Sequence, residues 1–195
     1  MSIEAGRRVS EFSVAWTIFA STIAIVLGAA SGGIVLVAFG AVGYVDALGS
    51  IALVHHFRHG QKRAALEDRF ERRAHRVVTI GLLSVGTATV VASVQRLVVH
   101  ASPDPAAGSV LIAALSIVVL TILARRKRVI AREIPSPALA ADGHLSAVGA
   151  MQAAVALVGV VAARAFGWNW ADATAALAVG VVAIVLGMQS HRSMT

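Results

Sequence analysis

Six apolar runs, each close to the length of a membrane-crossing helix and each bounded by arginine, glycine or proline, constrain this chain more than any other feature. The hydrocarbon core of a bilayer is ~30 Å thick and takes roughly 20 residues of helix to cross. Runs that qualify lie at about residues 12–30, 34–57, 77–99, 108–124, 138–166 and 171–188. The expected fold is therefore all-α: a polytopic membrane protein of six transmembrane helices in one domain, residues 1–195, with no soluble domain. Only Ser31, Gly32 and Gly33 separate the first two runs, so these form a helical hairpin. Pro103 and Pro105 break the chain between the third and fourth, and Pro135 and Pro137 precede the fifth.

Composition agrees. Hydrophobic residues make up 57% of the chain and charged residues 14%, against about 25% charged in a soluble domain. Mean hydropathy is +0.79. A net charge of +7 would point to nucleic acid in a soluble protein. Here the basic residues flank apolar runs, so the expected partner is the lipid bilayer and not nucleic acid. There is no cysteine, which excludes disulfides and thiolate metal sites. The first run lacks a small-residue cleavage site and reads as a retained span.

The flanks give an orientation. Arg7 and Arg8 precede the first run, seven basic residues lie between Arg58 and Arg76, five more lie between Arg125 and Arg132, and Arg192 follows the last run. The opposite side has Arg164, with Arg96 snorkelling towards it, and carries Trp168 and Trp170 at the outer interface. The positive-inside rule puts both termini in the cytoplasm of a cell (inner or plasma) membrane. Residues 61–76 mix acidic and basic side chains and read as a solvated helical extension of the third span, near anionic headgroups.

Two carboxylates fall well within the runs, away from their ends. An aspartate at a span centre costs on the order of 3 kcal/mol to insert, and such residues usually face a cavity or a polar partner. Asp46 lies twelve residues before Arg58, roughly 18 Å from that end and near mid-membrane. Asp142 follows Pro137 by five residues, roughly 8 Å in. At 100° per residue Asp46 shares its face with Val42, Gly49, Ser50 and Leu53, and Asp142 shares its own with Ser146, Gly149 and Ala153. These small, weakly polar faces suit either close helix packing or a narrow hydrated path. His55 and His59 are one helical turn apart, a spacing that can hold a transition metal, although they sit at a basic boundary where histidines without ligands are common. His144 is rotated about 200° from Asp142 and reads first as an interfacial residue, with a metal role at the cytoplasmic mouth as its other reading.

In order and spacing, GGIVLVAFGAVGYVDALGS, SPALAADGHLSAVGAMQAAVAL and FGWNWADATAAL resemble the second span, the fifth span and the opening of the sixth span of the cation diffusion facilitator (cation efflux) family. The resemblance covers nearly the whole chain and is closest to a compact branch with only the transmembrane domain. It implies a homodimeric divalent-metal transporter, a proton-coupled secondary transporter and not an enzyme. It implies no cofactor, only a transported cation such as zinc or manganese. Aligned without gaps, the family's second-span ligand pair falls on Val42 and Asp46, and its fifth-span pair on Leu145 and Gly149. The expected site is thus degenerate and centred on Asp46, with Asp142, Ser50 and Ser146 as further metal-facing groups. Counting from the charged boundaries puts Asp142 about 10 Å nearer the cytoplasm than Asp46, so the two read as successive stations on a path. The alternative is a non-transporting scaffold or partner subunit built on the same fold. An intramembrane aspartyl protease needs two aspartates sharing one proton, which that separation argues against. Small-residue rows with Gly28, Gly32 and Gly33, or with Gly149 and Ala153, are where a second protomer would pack.

Overall fold

A computed structural model of the chain describes residues 3–59, 64–99, 107–133 and 137–192. Its elements are six α-helices: α1 Ile3–Ser31, α2 Ile34–His59, α3 Ala64–Val99, α4 Ala107–Glu133, α5 Pro137–Phe166 and α6 Asn169–Arg192. There is no strand among the described residues. Five of the helices are long and apolar enough to cross a membrane. In α2 the apolar helix within the described residues is Ile34–Leu48.

Burial runs opposite to a soluble protein's. The interior is built mainly of alanine, small aliphatic residues and serine, such as Ala24, Ala153, Ala176, Ser93 and Ser116. Large apolar side chains including Phe12, Phe19, Leu111, Val158 and Val181 face outwards. Lipid is as apolar as leucine, so helices in a membrane gain by bringing backbones close through small residues and turning large side chains to the acyl chains. Gly86 of α3 and Gly180 of α6 show how close: a Cβ on Gly86 would lie 2.8 Å from the Gly180 carbonyl oxygen. Gly28 packs on Gly33 and Val37, Gly149 packs on Leu120, and Ala153 is fully buried. The rows expected to meet a second protomer are therefore used largely inside this one.

The α1–α2 turn follows from its glycines. Gly32 has φ +69°, which a residue with a Cβ resists. Gly33 N–H donates to the Gly28 carbonyl at 2.8 Å and Gly32 N–H to the Ala29 carbonyl at 3.4 Å, the paired bonds that close a helix on a left-handed residue. Asp172, at the start of α6 and 1% exposed, then accepts from the Ile34 N–H at 2.8 Å. It caps α2 from another helix. Arg96 of α3 donates to the Gly32 carbonyl, so this side chain is held by the turn and does not merely snorkel.

Each helix runs opposite to the one before, so the start of α1, the ends of α2, α4 and α6 and the starts of α3 and α5 share one end of the bundle. The exposed, stacked Trp168 and Trp170, with ring centres 5.7 Å apart, lie at the other. Helices α1, α2, α4 and α5 surround one interior, and the α3–α6 pair packs beside it against α2 and α5.

Candidate functional site

Between α1, α2, α4 and α5 lies a cavity lined by Ser13, Trp16, Thr17 and Ser21 of α1, Asp46 and Ser50 of α2, Leu120 of α4, and Asp142, Leu145, Ser146, Gly149 and Gln152 of α5, among others. It leaves about 30 Å³ for the centres of water-sized molecules, room for about two waters or one ion with part of its hydration shell. Asp46, Asp142, Ser50 and Ser146 all reach this one space. So do Leu145 and Gly149, the positions where the resemblance places the absent ligands, while Val42 is fully buried.

Three polar atoms of the lining lie out of contact with solvent and lack a hydrogen-bond partner: Trp16 Nε1, Asp46 Oδ1 and Gln152 Nε2. Buried polar groups are nearly always satisfied. Three such atoms on side chains that line a space wide enough for water mark it as a place for water or a polar solute. Asp46 itself is only half-buried, and no neighbouring helix holds its Oδ1.

Asp142 is held from three sides. The Ser50 hydroxyl donates to its Oδ1 at 2.7 Å, and the Ser146 hydroxyl donates to its backbone carbonyl at 3.1 Å. The Lys127 ammonium sits 2.7 Å from its Oδ2, with side chains 0% and 5% exposed. That last contact is an ion pair and a charge-assisted hydrogen bond at once. The ammonium's other two hydrogens go to the Ser13 hydroxyl at 2.7 Å and the Ser146 hydroxyl at 2.9 Å.

Lys127 corrects the sequence reading. Residues 125–132 continue α4 to Glu133 and do not form a loop. Arg125 and Arg126 are exposed, but Lys127 continues the inward stripe of Leu120, Leu123, Ala124 and Ile130. The spacing of three and four residues is the signal that would have found it. The ten-ångström offset between Asp46 and Asp142 also needs correction. Ser50, which bonds Asp142, is four residues from Asp46, about 6 Å along the helix. Distances counted from Arg58 and Pro137 misplace the pair because helix packing sets the level of α5 against α2.

His144 is exposed and does not line the cavity. His55 and His59 lie on α2, with side chains outside the described residues. Among the described residues no group of three or more His, Cys, Asp and Glu side chains could hold a metal ion.

No match was found among functionally curated proteins. A family match does cover the chain: residues 11–194 fit the cation efflux transmembrane domain. All-helical architecture, spans of membrane length and a match across nearly every residue agree, and the chain belongs to the cation efflux family of membrane transporters.

Proposed function

We propose that this protein is a secondary transporter that exports a divalent cation in exchange for protons, with Asp46 as the principal cargo ligand. The observation that carries the reading is the Asp46 carboxylate oxygen, buried without a partner beside a cavity wide enough for an ion. Membership of a cation efflux family supplies the reaction class. A carboxylate, serine hydroxyls and water are hard oxygen donors, which suit manganese or magnesium as readily as zinc.

In this account the basic end of the bundle faces the cytoplasm, in keeping with the positive-inside rule, and Asp46 meets the cation from there. Ser50 and Ser146 offer hydroxyl oxygens, Asp142 attracts the ion, and water completes its shell. Protonation of Asp46 from the outer side removes the charge that holds the ion and releases it. The protein works as a homodimer, as the family resemblance implies.

One observation favours the alternative of a non-transporting scaffold: Asp142 already has a cation beside it, Lys127. Direct binding separates the two readings. Titration of the detergent-purified protein with Mn2+ and Zn2+ is expected to show saturable binding that Asp46→Ala abolishes. No binding by an intact, monodisperse protein would establish the scaffold instead.

A further inference from the structure

We infer that the Lys127 ammonium is a tethered counter-cation: it occupies the Asp142 half of the cavity when no cargo is bound, and a divalent ion must displace it to use both carboxylates. The inference rests on the cation site proposed above and adds a residue and an order of events to it.

Charge balance is the first argument. With both carboxylates ionised, Asp46 and Asp142 bring two negative charges to one cavity, matching a divalent ion. The protonated amine of Lys127 cancels one of them. A dication entering that cavity therefore meets one net negative charge and a like charge within a side chain's reach, a repulsion that low-dielectric surroundings magnify. The charged groups facing Lys127 are Asp142 of α5 and Asp46 of α2, and α1 offers it the Ser13 hydroxyl.

The manner of holding is the second. Here all three contacts of the ammonium are to oxygens of the cavity lining: the Ser13 hydroxyl at 2.7 Å, the Ser146 hydroxyl at 2.9 Å and Asp142 Oδ2 at 2.7 Å. With the ammonium gone, Ser13 and Ser146 oxygens and Asp142 Oδ2 would all turn to the cavity, an oxygen-only set. The ammonium stands where an ion would stand.

Residue choice is the third. The chain has 17 basic residues and only two are lysines, Lys62 and Lys127. Arginine would fork onto Asp142 in a planar, two-bonded grip, whereas lysine places a compact point charge on a flexible stem. That is the residue type that can leave and return.

The test uses the full chain in detergent, with Mn2+ as probe and two readouts. Lys127→Met should bind Mn2+ about tenfold more tightly than the parent, while Lys127→Arg, which keeps the charge, should not tighten. In the unsubstituted protein, saturating Mn2+ should speed reductive methylation of Lys127 several-fold, read by mass spectrometry with Lys62 as reference. This second readout stands even if Lys127→Met does not fold. Binding no tighter in folded Lys127→Met, or a methylation rate at Lys127 unmoved by Mn2+ at occupancies where binding is measured, overturns the inference and leaves the Asp46 site intact. Absence of Mn2+ binding by both parent and Lys127→Met overturns both.

Discussion

Lys127 of α4 and Asp142 of α5 form a solvent-excluded ion pair, 2.7 Å from Nζ to Oδ2, at the wall of the cavity that Asp46 and Asp142 both line. Removing one partner of a buried pair strands the other charge, at about 3 kcal/mol or more. Lys127→Met alone should therefore lower unfolding stability in micelles by roughly that amount. Lys127→Met with Asp142→Leu should recover most of it. Thermal unfolding with and without Mn2+ checks this, and added Mn2+ should stabilise the single variant more than the double.

Ser50 joins α2 to α5 through the 2.7 Å bond to Asp142. Ser50→Ala deletes a buried bond to a carboxylate and should cost about 1–3 kcal/mol. Because Ser50 is also a proposed cargo ligand, Mn2+ affinity should fall together with stability. A drop in stability with unchanged Mn2+ affinity would confine Ser50 to a structural role.

At the opposite end, Asp172 caps α2 from α6. Asp172→Ala leaves the Ile34 N–H without that acceptor and should destabilise the protein by about 1–2 kcal/mol. Asp172→Asn, which keeps an acceptor oxygen, should cost less. Neither should alter Mn2+ affinity, since Asp172 does not line the cavity.

Helices α3 and α6 meet through Gly86 and Gly180, where a Cβ would stand 2.8 to 3.0 Å from the facing carbonyl oxygen. The backbone cannot yield as a side-chain tip can, so Gly86→Val should cost roughly 1–3 kcal/mol. Gly167 has open space around its missing side chain, and its substitution is opposed by its φ of +65° alone. Comparing unfolding of Gly86→Ala and Gly167→Ala separates close approach from backbone strain.

Much of this architecture was legible in residue order. Hydrophobic length gave the helices, and the Ser31–Gly33 turn gave the hairpin, because lipid and backbone geometry act locally. Asp46, Ser50, Asp142 and Ser146 were found from helical periodicity, and they do converge. Lys127 was hidden by its neighbours: within Arg125–Arg128 it reads as one more flanking charge, and only the stripe from Leu120 to Ile130 shows that it turns inwards. Ser13 was hidden for a different reason. A serine near the start of a span has no distinguishing chemistry until the helix carrying Lys127 packs against it. The level of Asp142 was misjudged because the vertical register between helices depends on tertiary packing, which no single run encodes.

The central claim is that a cation passes through the bundle by way of the Asp46 carboxylate. Uptake of Mn2+ or Zn2+ into inside-out vesicles driven by a proton gradient tests it most directly, comparing the parent with Asp46→Ala at matched protein levels. The account predicts gradient-dependent uptake by the parent and background uptake by Asp46→Ala. Uptake by Asp46→Ala at the parent's rate would contradict it.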